Sequence, residues 1–269
     1  MLRRSIKRLF STEVHCALES LSNGVKVISL QNPARKNALG TLLIDQFISH
    51  LQCLKFDNEA RVVILKSGVS GTFCAGADLK ERLQMTPDQV AVFVDKLRSS
   101  FTMLEDLPIP SIACIDGYAL GGGLELALSC DLRVSGPNSK VGLPETALAI
   151  IPGAGGTQRL AKLIGIVRAK EMIYTAQQYN ANTAHSYGIF NSVHENPYEK
   201  ALEIANTIAN NGPVAIRMAK KAIDLGYGKD KATGMSIEQL CYAQVIPTED
   251  RVEALKAFNE KRKPIFKGK

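Results

Sequence analysis

Two glutamates stand in apolar surroundings where a carboxylate is unusual. Glu125 follows a run of three glycines at residues 121–123, and its neighbours are leucine and alanine. Glu145 follows Pro144 in an apolar loop. Carboxylates are rarely buried without a partner, and apolar surroundings raise their proton affinity toward the range that acid/base catalysis needs. The pair therefore predicts an acid/base site, although the spacing alone leaves open whether the two carboxylates meet.

Two loops of small residues lie close to these positions in the sequence. The glycines at 121–123 would expose backbone N–H groups at a helix N-terminus, which favours an anion or a developing oxyanion. The loop at residues 74–78 reads Cys-Ala-Gly-Ala-Asp, and its small side chains let a ligand approach the backbone. Two alternatives stay open. The second loop is also typical of a tight turn in which Asp78 caps a helix, and Glu125 could be a solvated first-turn residue that the helix dipole stabilises.

Other common chemistries find no support in the sequence. The glycine run at residues 153–156 is not a GxGxxG motif, and no ribose-binding acid follows it, so we interpret it as a turn into a helix. The six cysteines form no CxxC motif, and they have no metal-ligand spacing with the four histidines. Cysteines in apolar runs indicate a reduced compartment and no metal site.

The elements that would position these residues change in character along the chain. A strand-rich first half and a helix-rich second half predict an α/β or α+β fold. The helical tail cannot form much of a core alone, so we expect it to pack on the first half or on another subunit. The predicted strands are residues 25–30, 61–66, 111–115, 132–134 and 140–143. The predicted helices are 37–54, one capped by Thr86, 124–128, 157–164, 166–175, 198–210, 213–225, 231–245 and one capped by Thr248. In this last helix, Val252, Leu255 and Phe258 are expected to face inward.

Length and composition restrict the class of protein. The chain has 269 residues, 45% hydrophobic and 22% charged, which suits a globular protein of one large or two modest domains. Disordered, collagenous and coiled-coil classes are excluded. The longest apolar stretch, residues 112–130, is interrupted by two acids and four glycines, so no membrane span is predicted.

The formal net charge of +7 is unevenly distributed. Residues 1–12 contain four basic residues, two serines and no acid, which is the composition of a mitochondrial transit peptide. The alternative is a basic N-terminus of a cytosolic protein. The rest of the chain is only mildly basic, which would also suit a polyanionic small ligand.

Several segments together resemble the crotonase, or enoyl-CoA hydratase/isomerase, superfamily. The similarity runs from about residue 16 to the end, and the chain looks most like a mitochondrial hydratase group, one member of which is also described as binding AU-rich RNA. The matching segments are residues 35–39, 73–80, 117–125 with 130–131, 142–145, 151–160 and 257–264.

The resemblance implies a crotonase-like spiral of ββα units followed by a helical trimerisation region, assembled as a homotrimer or homohexamer. The expected organisation is a transit peptide at residues 1–11, a spiral core at 12–200 and the helical region at 201–269. The expected location is the mitochondrial matrix.

The resemblance also implies roles for individual residues. The N–H groups of Ala77 and Gly122 would form the oxyanion hole for a thioester carbonyl, and Glu125 and Glu145 would position a water and move its proton. No cofactor is expected, because coenzyme A is part of the substrate. The residues implied to contact coenzyme A are Lys36, Ala75, Gly76, Ala77, Asp78, Leu79 and Lys261.

The implied activity is the addition of water to a 2-enoyl-CoA in fatty-acid or leucine catabolism, with 3-methylglutaconyl-CoA as one candidate substrate. The alternatives are a crotonase-fold isomerase or acyl-CoA hydrolase and, in a different class, an RNA-binding protein. The RNA-binding relative carries a row of lysines on the helix after the Lys-Asn motif. Residues 37–53 of this chain contain no lysine, which argues against RNA binding because affinity follows phosphate neutralisation.

Overall fold

The computed structural model describes residues 13–269, and the predicted transit peptide lies outside these residues. A six-stranded sheet has the order β1-β2-β3-β5-β7-β10, in which only β1 is antiparallel to its neighbour. Its strands are β1 (Cys16–Ser20), β2 (Val25–Leu30), β3 (Val62–Ser67), β5 (Ser111–Ile115), β7 (Leu132–Ser135) and β10 (Ser192–Val193).

A second, four-stranded sheet has the order β4-β6-β8-β9. It comprises β4 (Thr72–Cys74), β6 (Tyr118–Leu120), β8 (Lys140–Gly142) and the antiparallel β9 (Gln178–Asn180). Successive turns of the chain place one strand in each sheet: β3 then β4, β5 then β6, β7 then β8. Helices follow each pair, so the described chain is a spiral of ββα units, as the resemblance implied.

Apart from the start of α1, the predicted helices begin and end close to their predicted limits. Strand β3 is shifted by one residue at each end, and β7 and β8 each differ from prediction by one residue at the C-terminal end. The bounds of the helices are α1 (Thr41–Phe56), α2 (Leu79–Arg82), α3 (Pro87–Glu105), α4 (Gly122–Leu128), α5 (Gly156–Ile164), α6 (Ile166–Thr175), α7 (Ala181–Ser186), α8 (Pro197–Ala209), α9 (Pro213–Gly226), α10 (Lys231–Val245) and α11 (Glu249–Asn259). Thr86 and Gln89 form the capping box of α3, and Thr248 caps α11.

The six-stranded sheet is buried on both faces, and its strands divide their side chains by alternation. Val62 and Ile64 of β3 face α8, whose Ala201 and Ala205 cover that side. Val63 and Leu65 point the other way into the larger core between the sheets and the helices. Helix α8 therefore packs on the core sheet and extends past residue 200, where the spiral core was expected to end.

Two predictions about helices are wrong. Residues 37–40 precede helix α1 instead of belonging to it, because Asn37 has a φ of 54° and Gly40 is the N-cap. In α11, Val252, Leu255 and Phe258 are 44%, 55% and 82% exposed instead of facing inward. The buried residues of that helix are Asp250 and Ala257. The Asp250 carboxylate accepts hydrogen bonds from the backbone N–H groups of Lys267 and Gly268. These bonds explain why a charged residue is buried on this helix.

Candidate active site

The candidate residues meet because three parallel strands end at one edge of the second sheet. β4, β6 and β8 are parallel neighbours, and Leu120 at the end of β6 pairs with Gly142 at the end of β8. The carboxyl ends of parallel strands lie side by side. Ala77 follows β4, Glu125 follows β6 and Glu145 follows β8. The topology thus answers the question that sequence spacing left open.

Glu125 is 3% exposed and lies in the first turn of α4. Its Oε1 accepts hydrogen bonds of 2.8 Å from the backbone N–H groups of Ala154 and Gly156. Burial raises the pKa of Glu125, while these two amides and nearby arginines oppose the rise. The solvated first-turn alternative is therefore wrong, and the two amides favour the ionised carboxylate.

Glu145 is 9% exposed and lies in a short 3₁₀ helix, Pro144–Leu148. Its Oε2 is buried, and no residue of the described chain hydrogen-bonds to it. Burial raises the pKa of Glu145 to about 7, and the charge of Glu125 adds to the rise. The two carboxylates therefore differ: Glu125 has donors for its charge, whereas Glu145 is able to carry a proton at neutral pH.

Two backbone N–H groups lie side by side above this pair. Gly76 and Asp78 make the bridge hydrogen bonds to Leu39, so the N–H of Ala77 between them points away from Leu39. Gly122 is the first residue of α4, and its N–H has no acceptor within the helix. A Cβ added to Gly122 would lie only 3.7 Å from the nitrogen of Ala77. Two donors so placed suit an oxyanion.

A cavity of about 530 Å³ joins both carboxylates to both amides. Its walls are mostly apolar, and two arginines that sequence reasoning missed also line it, Arg82 and Arg98. Arg98 Nε donates to the carbonyl of Gly153 at 3.1 Å. The Arg82 guanidinium lies 5.6 Å from the ring centroid of Phe93, and among the described residues its Nε has no hydrogen-bond partner. Burial lowers the pKa of Arg82, and the charges of Glu125 and Glu145 oppose that fall. The apolar lining residues are Leu79, Val90, Val94, Leu97, Leu148, Ile150 and Ile151.

The residues implied to contact coenzyme A are only partly brought together. Ala75, Gly76, Ala77 and Leu79 line the cavity. The exposed Lys36 adjoins them, since its carbonyl accepts the N–H of Ala75 at 3.1 Å. The other two residues, Asp78 and Lys261, are not among those that line the cavity.

Asp78 and Lys261 have other surroundings. The Asp78 carboxylate accepts the N–H groups of Lys80 and Glu81 at 3.0 and 3.1 Å, so it caps α2 as the turn alternative predicted. Lys261 follows α11, and in residues 13–269 its only recorded backbone bond is to Phe258, 3.2 Å away. Nothing in the described chain joins it to the cavity.

Comparison with known proteins identifies the class. A family model described as enoyl-CoA hydratase/isomerase matches residues 20–269. The chain belongs to this family. The resemblance inferred from the sequence, and the expectation of an enzyme, are therefore confirmed.

Individual relatives are similar over almost the whole chain. Human mitochondrial methylglutaconyl-CoA hydratase is 48% identical over 93% of this chain and 76% of its own length. Bovine mitochondrial enoyl-CoA hydratase domain-containing protein 2 is 46% identical, over 94% of this chain and 88% of its own. The crystal structure of an enoyl-CoA hydratase from Bacillus anthracis superimposes with a TM-score of 0.93 at 46% identity, covering 95% of this chain and all of that one.

Proposed function

We propose that this protein adds water across the α,β double bond of a 2-enoyl-CoA thioester. The observation that carries the proposal is the cavity that holds two buried carboxylates of unequal proton affinity and two backbone N–H groups for which residues 13–269 supply no recorded acceptor. Moving a double bond needs one group that shuttles one proton, and the second carboxylate would be idle. Hydration needs a base for the water and an acid for the α-carbon, which is what the pair supplies.

The roles follow from the surroundings of each group. Glu125, whose charge is stabilised by two amides, takes a proton from the water as the water oxygen bonds to the β-carbon. The π electrons move toward the thioester oxygen, which the N–H groups of Ala77 and Gly122 stabilise. Glu145 then gives its proton to the α-carbon, and the carbonyl re-forms. An incoming water returns the proton from Glu125 to Glu145 for the next cycle.

For the acyl group, we propose an enoyl chain that carries a carboxylate, with 3-methylglutaconyl-CoA as the leading candidate. Arg82 supports this choice, because it is a lining arginine whose charge acts on both glutamates and whose Nε has no hydrogen-bond partner among the described residues. A guanidinium recognises a carboxylate better than it does a methyl group. The human relative is named methylglutaconyl-CoA hydratase, which supports the same substrate. With this substrate, we propose that the reaction belongs to leucine catabolism.

An expected difference between substrates tests the role of Arg82. Arg82→Met should lower kcat/KM for 3-methylglutaconyl-CoA at least about 10-fold more than for crotonyl-CoA, since a hydrogen bond to a charged group contributes about 1.5–3 kcal/mol. The ratio matters because Arg82 also affects Glu125 and Glu145, which both substrates use. An equal loss for the two substrates would contradict an anionic acyl group.

We also propose that the protein works in the mitochondrial matrix as a homotrimer or homohexamer. The human and bovine relatives are named mitochondrial, and residues 1–12 have the composition of a transit peptide. Among the described helices, none is long and apolar enough to cross a bilayer. A mature N-terminus near residue 12 in the endogenous protein would support import, and an intact Met1 on most molecules would contradict it.

Steady-state kinetics on a panel of CoA esters test the proposed activity. The panel contains crotonyl-CoA, longer 2-enoyl-CoA esters, 3-methylglutaconyl-CoA, a 3-enoyl-CoA and a saturated acyl-CoA. Hydration predicts loss of the conjugated thioester absorbance with formation of the 3-hydroxy product. Conversion of only the 3-enoyl ester would indicate an isomerase, release of free thiol would indicate a hydrolase, and salt-sensitive RNA binding without turnover would indicate the RNA-binding alternative.

A further inference from the structure

The carboxylate of Glu125 depends on a neighbouring turn for its orientation. Its two recorded donors are the N–H of Ala154, in the turn before α5, and the N–H of Gly156, the first residue of α5. Glu125 itself lies on α4. The position of the proposed base is therefore set by how firmly that turn is held.

Two arginines hydrogen-bond to this turn: Arg98 Nε donates to the carbonyl of Gly153 at 3.1 Å, and Arg159 binds the residue that donates to Glu125. Arg159 Nη1 donates to the carbonyl of Ala154 at 2.9 Å, on the same residue whose N–H binds Glu125. Gly155 has a φ of 109°, and a Cβ added there would overlap Arg159 Nη1. The guanidinium thus packs on the peptide unit between Ala154 and Gly155, which lies between the two donor N–H groups.

Arg159 is fixed in turn by the end of helix α3. Its Nε and Nη2 both donate to Glu105 Oε2, at 3.0 and 2.6 Å. The Arg159 side chain is 12% exposed and that of Glu105 is 47% exposed. Since Val94 and Leu97 on α3 line the cavity, this ion pair connects the cavity wall to the turn.

We propose that Arg159, held by Glu105, is a positioning residue that orients Glu125 through the turn at residues 154–156. The inference rests on the proposed hydration, because it assigns Glu125 the role of base. It concerns a residue that does not line the cavity, so the substrate is not expected to touch it.

The electrostatic part of the role has a defined sign. The charged groups that act on Glu125 from the packed elements are Arg82 on α2, Glu145 on the 3₁₀ helix and Arg159 on α5. Arg159 lowers the pKa of Glu125 against the effect of burial. Removing its charge would raise that pKa, and the acidic limb of the rate profile would move to higher pH, because the base must be ionised to accept a proton.

Kinetics of four variants test the proposal: Arg159→Met, Arg159→Lys, Glu105→Gln and the control Arg168→Met. Arg168 is a suitable control because its guanidinium lies over the ring of Tyr187 instead of on the turn. Arg159→Met should lower kcat at least about 10-fold with little change in KM, since small misplacements of catalytic groups are costly. The acidic limb of its rate profile should move to higher pH.

The other variants separate positioning from folding. Arg159→Lys keeps the charge, so it should retain the wild-type limb and part of the rate, and Glu105→Gln should change both quantities in the direction of Arg159→Met by a smaller amount. The proposal would be overturned if Arg159→Met and Glu105→Gln lost rate at every pH while the acidic limb of the pH–rate profile stayed in place. Wild-type kinetics in both variants would also overturn it. Should the wild type and Arg168→Met fail to hydrate any enoyl-CoA, the proposed function itself would be wrong.

Discussion

Glu125 and Glu145 are both buried, yet their carboxylates have different partners. The first accepts two backbone N–H groups, and the second has an oxygen without a hydrogen bond in the described chain. Hydrogen bonds to the charged form favour ionisation, and burial without them favours the neutral acid. A base and an acid at neutral pH therefore arise from two chemically identical side chains.

The rate of hydration is expected to fall on the alkaline side of neutrality. Glu145 has a raised pKa of about 7, so it holds its proton below that pH and loses it as the pH rises through it. Because only the protonated form can supply the α-carbon, kcat/KM for crotonyl-CoA should decrease above about pH 7. Rates measured from about pH 5 to 9 check this. A profile that is level through pH 8 or so would contradict the assignment.

The N-terminus of α4 has to supply an N–H donor and pack closely against the loop that follows β4. Gly122→Pro should lower kcat by about 10²–10³-fold, because proline lacks the N–H that the oxyanion needs. The matched control is Gly122→Ala, which keeps the N–H and whose Cβ would press on Leu39 Cδ1 at 2.9 Å, the movable end of a side chain. Both variants are compared in the same hydration assay. A proline variant as active as the alanine variant would exclude Gly122 as a donor.

The sequence predicted most of the longer elements, because their signals are local. Thr86 and Gln89 form the capping box that their spacing indicates. The predicted start of helix α1 is wrong because its cap is not local. The N–H of Thr41 donates to Oε2 of Glu81, forty positions later in the chain, at 3.1 Å. Very short strands such as β6 and β9 carry too few residues for a pattern, and they form only by pairing with distant partners.

The candidate site was predictable residue by residue but not as an arrangement. Glu125 and Glu145 stood out by their apolar neighbours, and their meeting depends on the pairing of β6 with β8. Arg82 and Arg159 gave no sequence signal, since an arginine on an amphipathic helix is ordinarily solvated. Their roles come from what other elements bring to them: Phe93 beneath the first and Glu105 beside the second.

Exposed apolar side chains on the last two helices predict that the protein associates with copies of itself. Leu240 and Tyr242 on α10 are exposed, as are Leu255 and Phe258 on α11. Large apolar side chains left exposed in one protomer favour burial in an interface, and closed homo-oligomers are the common outcome.

We therefore expect trimers or hexamers by light scattering at micromolar concentration. Leu255→Asp combined with Phe258→Asp should shift the protein to smaller species, because a charge would be buried without a partner. Gln52→Asp, an exposed polar position on α1, is the control and should leave the mass unchanged. A stable wild-type monomer would contradict this expectation.

The proposed mechanism requires two carboxylates, those of Glu125 and Glu145, that act together on one water. Its most direct test is the hydration of crotonyl-CoA by Glu125→Gln, Glu145→Gln and the double variant, with Glu199→Gln as an exposed control and binding of free CoA as a check of folding. Each single variant should lose at least about 10²-fold in kcat with little change in KM, and the double variant should lose scarcely more than the worse single one, because one missing member already disables the pair. Near wild-type hydration by Glu125→Gln, with loss only in Glu145→Gln, would contradict the account and indicate a single-acid mechanism.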